Sequence, residues 1–581
     1  MVKPLKIKKI IFVLVISAIV GLVHVYPDLK FIRSAGNNFK GITFNATQDA
    51  AVYLGRINTI YNGGRKHIPS IDIYEHRNDP WTLPFLGELI LGTIGSSLHI
   101  PLNYFKIIFS FLLPVIIFWL IYFLAFLLCS SRPAAVVCAL ATTLGYSFFT
   151  NNPKYAYDLL FNRQAAIQLW FLRPISPQFT YILLMAAWIT AYFLVTRKSY
   201  IYALLGGFLI GLFWYAAGIY YVSYFCAFLG VYFLYTLLKK DYPQLKKIVL
   251  AALIIIVVSA PFAVNYLKLI RLPEYGYFLQ RLSFMYGRIP IIPAGITLCS
   301  IFIVWFHYSR RTKAAEFIIL FVLSGFICLN QQLITGRTSQ PSHWQNYMVK
   351  TFTLIALFST AALYLREKKF PETVKKTLKI SAMVIFVTLA LLQQENYYQR
   401  FRGKFVEMQS LSGPFNWLNE NSSREDVVLN DPMNFVTGNI PYQQDLLMYA
   451  NNYVYLPSVL DTLASREETE HRYLSALRFF GYDLNDAHTF FTYWNGIAFR
   501  GMSAEVSYGG SIMPDAYLQH LKNKYAGFLK EDALGLLSKY RVNYVLIGRT
   551  SGFYDLIDSA YKGTRKVYDD GRFKIYKINA G

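Results

Sequence analysis

About eleven apolar runs, each near the length that spans a bilayer, restrict what this chain can fold into. Only 15% of its 581 residues are charged and 55% are hydrophobic, whereas charged residues make up about a quarter of an ordinary soluble domain. The pattern predicts a polytopic α-helical membrane protein. The runs fall at 10–26, 103–128, 133–150, 178–196, 200–216, 219–238, 248–267, 291–308, 314–331, 348–366 and 377–394.

Lysine and arginine between these runs predict the orientation, because short cytoplasmic loops are enriched in basic residues. With eleven spans and a cytoplasmic N-terminus, every loop assigned to the inside is basic, and an error of one span would spoil this agreement. The first run has no small-residue cleavage motif, so it is expected to stay as an anchor. The basic residues concerned are Lys3, Lys6, Lys8, Lys9, Arg132, Arg197, Lys198, Lys239, Lys240, Lys246, Lys247, Arg310, Arg311, Lys313, Arg366, Lys368, Lys369, Lys375 and Lys376.

The charge distribution divides the chain at about residue 394. Residues 1–394 hold 37 Lys and Arg against 12 Asp and Glu, and residues 395–581 hold 20 against 21, so the net charge of +24 belongs to the membrane part. Basic residues spread between apolar runs do not form the single soluble face that nucleic-acid binding needs. Two domains are predicted: a transmembrane domain at 1–394, with a first outer loop at 28–102, and an extracytoplasmic domain at 395–581.

The C-terminal domain mixes helical and strand patterns. Helical periodicity covers 467–480 and 514–529, whereas 426–430, 544–547 and 573–578 read as strands. The expected fold of this domain is α/β. All five cysteines lie in apolar runs, which favours small buried hydrophobes over disulfides or zinc ligands: Cys129, Cys138, Cys226, Cys299 and Cys328.

Asp49 is the leading candidate for catalysis. It follows the first span on the predicted outer side and precedes the apolar stretch Ala50-Ala-Val-Tyr-Leu54, which would approach the bilayer surface. Partial desolvation there would raise the pKa of the carboxyl and suit it to act as a general base. The same letters also fit a helix N-cap, so both interpretations stay open.

Further acidic residues follow in the predicted outer loops. Asp72, Glu75 and Asp79, with His67 and His76 nearby, could hold a divalent cation such as Mg²⁺ or Mn²⁺, although a solvated loop explains the same residues. Asp158 is the only carboxylate of the second outer loop. It and Glu75 are candidates for a second acid or an acceptor contact, and a structural hydrogen bond is the alternative for Asp158.

Two outer loops carry arginine beside aromatic and hydrogen-bonding residues. Arg163 and Arg173 flank Trp170, and the polar stretch 330–346 lies between two apolar runs. Arginine forks onto phosphate oxygens, so a Gly-Arg turn with hydroxyls, amides and an imidazole suits a phosphate or a sugar. A polar hairpin at the bilayer surface is the alternative. The residues of the two loops predicted to bind the phosphate or sugar of a donor are Arg163, Arg173, Arg337, Gln340 and His343.

This plan resembles the GT-C superfamily of integral-membrane glycosyltransferases. The residues that carry the resemblance are Asp49-Ala-Ala-Val-Tyr-Leu-Gly-Arg56, Arg173-Pro-Ile-Ser-Pro-Gln178, Trp417-Leu-Asn-Glu-Asn421, Val427-Val-Leu429 and Val542-Asn-Tyr-Val-Leu-Ile547. The resemblance implies a donor sugar on a polyprenyl phosphate or diphosphate and a glycan or lipid acceptor at the outer face. It also implies that Asp49 deprotonates the acceptor while Arg and His residues neutralise the departing phosphate.

The sequence also departs from several members of that superfamily. The Trp-Trp-Asp motif of oligosaccharyltransferases is absent, position 50 is Ala rather than a second acid as in protein O-mannosyltransferases, and no His-Lys-Glu-Glu-Arg motif occurs. Transfer to asparagine is therefore not expected, and the subfamily and the sugar stay open. The expected location is a bacterial inner (plasma) membrane.

Two rival functions remain. A lipid or glycan transporter or flippase would usually place ionisable groups within its spans, whereas the candidate carboxylates lie in loops. Spans with so few acidic residues are also compatible with a non-catalytic subunit of a cell-envelope glycan assembly complex.

Overall fold

The structure, a computed structural model, describes residues 7–44, 48–63, 73–150, 153–162, 168–281, 284–310, 312–368, 370–435, 442–456, 462–493, 515–549, 551–555, 557 and 563–578. These residues form two compact units. The first comprises Met1–Ser34, Tyr104–Phe262 and Tyr286–Arg402, and the second comprises Ala35–Asn103, Ala263–Met285 and Gly403–Gly581. The second unit thus contains most of the predicted first outer loop together with the C-terminal segment.

Helices account for most of the described chain. In the N-terminal half they are α1 (Ile7–Ala35), α2 (Gln48–Tyr61), α3 (Leu86–Ser97), α4 (Leu102–Cys129), α5 (Arg132–Thr143), α6 (Tyr146–Thr150), α7 (Pro153–Tyr157), α8 (Thr180–Thr196), α9 (Ile201–Ala216), α10 (Ile219–Leu238), α11 (Tyr242–Leu269) and α12 (Tyr275–Arg281). Thereafter they are α13 (Ala294–Tyr308), α14 (Lys313–Leu329), α15 (Gln332–Thr335), α16 (Pro341–Trp344), α17 (Lys350–Glu367), α18 (Glu372–Met408), α19 (Ser412–Asn421), α20 (Tyr442–Tyr449), α21 (Arg466–Phe479), α22 (Leu484–Tyr493), α23 (Asp515–Phe528) and α24 (Ala533–Ser538).

Seven strands complete the described elements. They are β1 (Phe284–Tyr286), β2 (Arg337–Ser339), β3 (Val427–Asn430), β4 (Tyr453–Val454), β5 (Tyr544–Gly548), β6 (Thr564–Asp569) and β7 (Phe573–Ile578).

Every apolar run identified in the sequence contains a helix. Among the described residues, eight helical stretches are long and apolar enough to cross a membrane by length and composition: Ile10–Asn38, Leu102–Cys129, Pro174–Thr196, Ile219–Leu238, Tyr242–Leu269, Lys313–Thr335, Ser342–Glu367 and Glu372–Asn421. The other three runs form the shorter apolar helices α5, α9 and α13. The prediction of a polytopic α-helical membrane protein is confirmed.

The shorter apolar helix α13 has 15 residues and measures about 22 Å along its axis, less than the usual hydrocarbon thickness. The count of about eleven spans stays a prediction.

Close packing explains how the short helix α9 is held in the first unit. A Cβ on Gly207 would lie 2.6 Å from the carbonyl oxygen of Ala251, and one on Gly211 would lie 2.7 Å from Cβ of Val258. The two glycines are four residues apart and therefore share one face of α9. Small residues at this spacing let the backbones of membrane helices approach closely, and here they seat α9 on α11.

The second unit contains the predicted α/β fold. Its five-stranded sheet has the order β4-β3-β5-β7-β6, with β3 parallel to β4 and β5, and with β7 antiparallel to β5 and β6. Val427, Leu429, Val545 and Ile547 belong to the core that one face of the sheet shares with α21 to α24. On the opposite face, Trp417 of α19 packs edge-on against Tyr544, with ring centroids 5.9 Å apart. Helix α20 packs on α19, and α2 packs on α20.

Candidate functional site

Asp49 lies at the beginning of α2, as its second residue. Since Gln48 opens the helix, the capping position would fall one residue earlier, outside the described residues. The side chain of Asp49 is also outside the described part, so its two interpretations, general base and cap, stay predictions. What the structure describes is the helix that carries it and the residues packed against that helix.

Two turns after Asp49, the same helix carries a buried ion pair. Nη1 of Arg56 lies 3.0 Å from Oε1 of Glu88 on α3, and both side chains are almost fully buried. Residues seven apart lie on the same face of a helix, so Asp49 and Arg56 share a face of α2. Moving two charges out of water is costly unless they are paired. In the interior of the second unit, the ion pair offsets this cost for Arg56 and Glu88.

Helix α20, which packs on α2, contributes a carboxylate that sequence reasoning missed. The side chain of Asp445 is 5% exposed, and its Oδ2 atom has no hydrogen-bond partner among the described residues. Burial raises the pKa of Asp445 to about 7, with a smaller opposing effect from the positive charge of Lys404. A buried carboxyl with a pKa near neutrality has the properties expected of an acid or base. An acidic residue inside an apolar helical run was the available signal, in Leu446-Leu447-Met448.

Glu75 and Asp79, two of the predicted metal ligands, are bound by cationic side chains. Oε2 of Glu75 lies 2.6 Å from Nη2 of Arg472, and its Oε1 accepts from the backbone N–H of Arg541 at 2.9 Å. Oδ2 of Asp79 lies 2.6 Å from Nδ1 of His76. Glu75, proposed as a second acid, is therefore held in an ion pair.

The described residues contain no group of three or more His, Cys, Asp or Glu side chains that could hold a metal ion. Asp72 and His67, the other residues of the predicted cluster, lie outside the described part. A divalent cation stays a prediction.

In the first unit, predicted donor-binding residues lie beside two irregular segments. Pro174–Phe179 before α8 is kinked, with an extended backbone at Ser176 (φ −114°, ψ 107°), and Gln345–Val349 before α17 is a π-helical turn. Single π-helical turns are uncommon and are frequent at functional sites. Arg173, directly before the first segment, donates a hydrogen bond from Nη2 to the hydroxyl of Tyr347 in the second. Its guanidinium also lies 5.8 Å from the ring centroids of Trp170 and Tyr347.

His343 and Gln340 join the same cluster through aromatic rings. His343 packs edge-on between Tyr347 and Tyr220, with ring centroids 4.9 and 5.7 Å away. The hydroxyl of Tyr220 donates to Oε1 of Gln340 at 3.2 Å. Gln340 has a φ of +39°, a left-handed conformation that is strained for a residue with a side chain and recurs at functional sites. We call Arg173, Tyr220, Gln340, His343 and Tyr347 the aromatic cluster.

Buried amides surround the aromatic cluster. The backbone carbonyl of Asn346 accepts from the hydroxyls of Tyr146 and Tyr181, and the Tyr181 hydroxyl also accepts from Nε1 of Trp170 at 3.3 Å. Within the described part of the chain, the side-chain oxygens of Asn346, Gln178 and Gln168 have no hydrogen-bond partner. Buried acceptors without a protein partner can accept hydrogen bonds from a water molecule or from a ligand.

The other predicted residues are less informative. Gly336 has a φ of +72° and caps α15, which produces the predicted Gly-Arg turn, but Arg337 itself is exposed on β2. Asp158 is the half-buried first residue of another π-helical turn, Asp158–Asn162. Arg163 lies outside the described residues. Tyr220 and Tyr347 were missed because aromatic residues in apolar runs read as lipid-facing or core residues.

The helices and the sheet together define this chain as a polytopic α-helical membrane protein with an α/β domain. No protein-family model and no curated protein matches it. Among solved structures, the chain is similar to ArnT from Cupriavidus metallidurans bound to undecaprenyl phosphate, with 10% identity and a TM-score of 0.46 over 98% of this chain and 97% of ArnT. It is also similar to the apo state of that ArnT, with 10% identity and a TM-score of 0.43 over 94% and 97% of the two chains.

Proposed function

We propose that this protein is a membrane glycosyltransferase of the GT-C type, which moves a sugar from a polyprenyl-phosphate or polyprenyl-diphosphate donor to an acceptor hydroxyl. The observation that carries the proposal is the aromatic cluster. Three residues chosen from the sequence for phosphate or sugar binding, Arg173, Gln340 and His343, meet there around Tyr220 and Tyr347.

Arg173 and His343 are assigned to the donor phosphate. A guanidinium forms two parallel hydrogen bonds with phosphate oxygens, and aromatic rings on either side limit its motion. As the bond between the anomeric carbon and the phosphate oxygen breaks, negative charge develops on that oxygen. Fixed cationic and hydrogen-bonding groups stabilise such charge most strongly where water is excluded.

The buried amide oxygens of Gln178 and Asn346 are assigned to the sugar. Sugar hydroxyls donate hydrogen bonds, and these acceptors have no partner among the described residues. Gln178 lies three residues before Tyr181, so the two are neighbours along the chain's helical path. The hydroxyl of Tyr181 donates to the backbone carbonyl of Asn346. Gln178 and Asn346 therefore belong to the same part of the helix bundle. The nearby rings of Trp170 and Tyr347 suit the apolar faces of a pyranose.

Asp49 is assigned to the acceptor. Its carboxylate takes the hydroxyl proton as the acceptor oxygen forms the new bond to the anomeric carbon. Neither the sugar nor the acceptor is specified by the residues named.

The test is sugar transfer by the purified protein in lipid nanodiscs, with polyprenyl-phosphate hexoses that carry a radiolabel as donors. We expect Asp49→Asn to lower transfer by about 10²- to 10⁴-fold, the range for loss of a general base. Arg173→Ala should weaken donor binding strongly, and Arg173→Lys should restore it only in part, since lysine cannot make the bidentate contact.

The matched control is Glu372→Gln, a fully exposed carboxylate at the start of α18. It should leave transfer unchanged. If the wild-type chain transfers sugar and Asp49→Asn is fully active, then Asp49 is not the general base. Donor binding without any transfer would favour a flippase or a non-catalytic subunit.

A further inference from the structure

Lys350 places a positive charge inside an apolar membrane helix. It belongs to the apolar stretch Ser342–Glu367, and its side chain is half-buried. Nζ of Lys350 donates a hydrogen bond to the backbone carbonyl of Thr150 at 3.1 Å. Among the described residues, no carboxylate forms an ion pair with it. An ionisable side chain within a membrane span is costly, and it marks a candidate functional site unless it is paired.

Two other lysines of the first unit show how a cation in such a helix is compensated. Nζ of Lys106 on α4 lies 2.7 Å from both carboxylate oxygens of Asp28 on α1. Nζ of Lys30 on α1 lies 2.6 Å from Oε2 of Glu395 on α18. Lys350 instead has a neutral carbonyl as its partner within the described residues. An ammonium group has three donors, so an anionic ligand would complete its hydrogen bonds and its charge.

Lys350 lies close to the aromatic cluster. The hydroxyl of Tyr146, at the start of α6, donates to the backbone carbonyl of Asn346, and Thr150, at the end of α6, accepts from Lys350. Helix α6 therefore lies alongside the segment that ends at Lys350. Tyr347 of the aromatic cluster falls within this segment, three residues before Lys350, so the two are neighbours on the helix surface.

The order of the residues along this helix matches the headgroup of a lipid-linked sugar. His343 lies at the beginning of the apolar stretch Ser342–Glu367, and Lys350 lies seven residues, or roughly 10 Å, further into it. Arg173 bonds the hydroxyl of Tyr347, which lies between these two residues in the sequence. A polyprenyl-diphosphate sugar has the corresponding order, with the sugar first, then two phosphates and then the apolar chain.

An aromatic surface continues beyond Lys350. Phe149, the residue before Thr150, is 48% exposed. Its ring packs against Phe358 of α17 and Phe386 of α18, with centroids 5.6 and 5.9 Å away. Phe358 lies eight residues, or roughly 12 Å, after Lys350 along the helix. An isoprenoid chain can lie on this apolar surface while its phosphates stay near Lys350.

We propose that Lys350 binds the lipid-side phosphate of the donor, and that the donor is therefore a polyprenyl-diphosphate sugar. This inference rests on the proposed function, which leaves the number of phosphates open. Arg173 makes the forked contact with the sugar-side phosphate, and Lys350 acts as a point charge on the other. During transfer, the bond between the anomeric carbon and the phosphate oxygen breaks, and its electron pair leaves with the polyprenyl diphosphate. The Lys350 ammonium offsets part of the negative charge that this leaving group gains.

The first experiment measures binding of lipids without a sugar, so that it does not depend on transfer. Full-length protein is placed in phosphatidylcholine nanodiscs that contain graded amounts of polyprenyl diphosphate, polyprenyl monophosphate or phosphatidic acid, and tryptophan fluorescence is followed. For the wild type we expect the diphosphate to bind about 10-fold more tightly than the monophosphate, the effect of one additional charge-assisted contact. Phosphatidic acid should bind more weakly than both.

Three variants locate this preference. Lys350→Met removes the charge and should bring the two polyprenyl lipids to within about 3-fold of each other, with little change for the monophosphate. Lys350→Arg keeps the charge and should keep most of the preference. Lys30→Met is the matched control, because Lys30 is also half-buried but already has a carboxylate partner. This control should keep the full preference, even if loss of the ion pair with Glu395 makes the protein less stable.

Two binding results would overturn the inference: equal affinity of the wild type for the two polyprenyl lipids, or an unchanged preference in Lys350→Met. A third result would assign Lys350 to a bilayer phospholipid and would also reject the inference. In that case, phosphatidic acid binds as tightly as polyprenyl diphosphate, and Lys350→Met loses this affinity.

Sugar transfer from polyprenyl-monophosphate and polyprenyl-diphosphate hexoses is assayed in parallel. Faster transfer from the diphosphate that requires Lys350 supports the inference and the proposed function together. A diphosphate preference in binding that requires Lys350, without transfer from either donor, rejects the glycosyltransferase function and leaves the diphosphate site in place. Transfer from the monophosphate alone rejects only the diphosphate.

Discussion

The second unit buries acidic side chains in two contrasting ways. Around the fully buried Arg472, Glu75 and Glu468 lie 2.6 and 2.7 Å from the same guanidinium nitrogen, and His76 bridges Glu468 and Asp79. On α20, Asp445 is almost as deeply buried, but its Oδ2 atom has no hydrogen-bond partner in the part of the chain that the structure describes. Paired charges join distant segments of the chain, whereas a buried charge without a partner is a cost that only a ligand, water or protonation can relieve.

The Arg472 network is therefore an architectural feature. Glu75 belongs to the segment before α3, and Arg472 lies 397 residues later on α21. The guanidinium stacks on Tyr540, 4.0 Å from the ring centroid, and donates to the carbonyl of Tyr455 at 3.2 Å. With so many bonds satisfied, this cluster holds the first loop to the sheet of the α/β domain.

The largest expected effect comes from breaking that network. Arg472→Met removes a fully buried cation and leaves the partly buried carboxylates of Glu75 and Glu468 without it, which should lower the free energy of unfolding by about 3 kcal/mol. Thermal unfolding of the detergent-solubilised protein, followed by tyrosine and tryptophan fluorescence, measures it. Lys539→Met removes an exposed cation beside the same Tyr540 ring and should change stability by less than about 1 kcal/mol. Equal effects of the two variants would show that burial of Arg472 contributes nothing.

An intermediate effect is expected from His76. Burial alone would lower the pKa of its imidazole, but hydrogen bonds to Asp79 and Glu468 outweigh this and raise it to about 9. The stabilisation is therefore complete below about pH 6.5, the value in the unfolded chain, and is lost as the pH rises through 9. His76→Gln should be about 2 kcal/mol less stable than wild type at pH 6 and nearly equal to it at pH 10. A constant difference across this range would contradict the assignment.

The smallest effect is expected at Asp445, where the substitution should raise the stability of the folded state instead of lowering it. The pKa of Asp445 is raised above its unfolded value, so the folded state is favoured below about pH 4 and loses that advantage as the pH rises through 7. Asp445→Asn avoids the buried charge and should be about 1 kcal/mol more stable than wild type at pH 8. The melting temperatures at pH 5 and pH 8 check this. If Asp445→Asn is less stable than wild type at pH 8, then Asp445 has a structural role, and the contrast drawn with Arg472 is wrong.

Much of the fold follows from local sequence. Apolar runs predict the helices of the first unit because bilayer-spanning helices are apolar over a fixed length. Strand patterns at 426–430, 544–547 and 573–578 correspond to β3, β5 and β7. The sequence could not show that 35–103 folds with residues 403–581, because such pairing depends on contacts between residues hundreds of positions apart, such as Glu75 with Arg472.

Part of the candidate site was also predictable. Arg173, Gln340 and His343 stand out because polar residues beside membrane spans are uncommon, and the structure brings them to one cluster. Tyr220 and Tyr347, which connect them, have the same composition as the surrounding spans and give no signal. Asp445 gave only a weak signal, an acid beside the apolar residues Leu446-Leu447-Met448, because an acid in a short helix of a soluble domain is ordinary until its burial is known.

The sequence by itself determined a membrane protein with about eleven apolar runs, an α/β domain after residue 394, and a small set of outer-loop residues suited to phosphate and sugar. These follow from composition and spacing, which act locally along the chain. Only the tertiary structure decided which of its acids are paired. Arg472 binds Glu75 and Glu468, while the burial of Asp445 leaves one of its oxygens without a partner among the described residues. The reason is physical: the cost of a buried charge depends on what lies within a few ångströms in space, and distance along the chain does not reveal it.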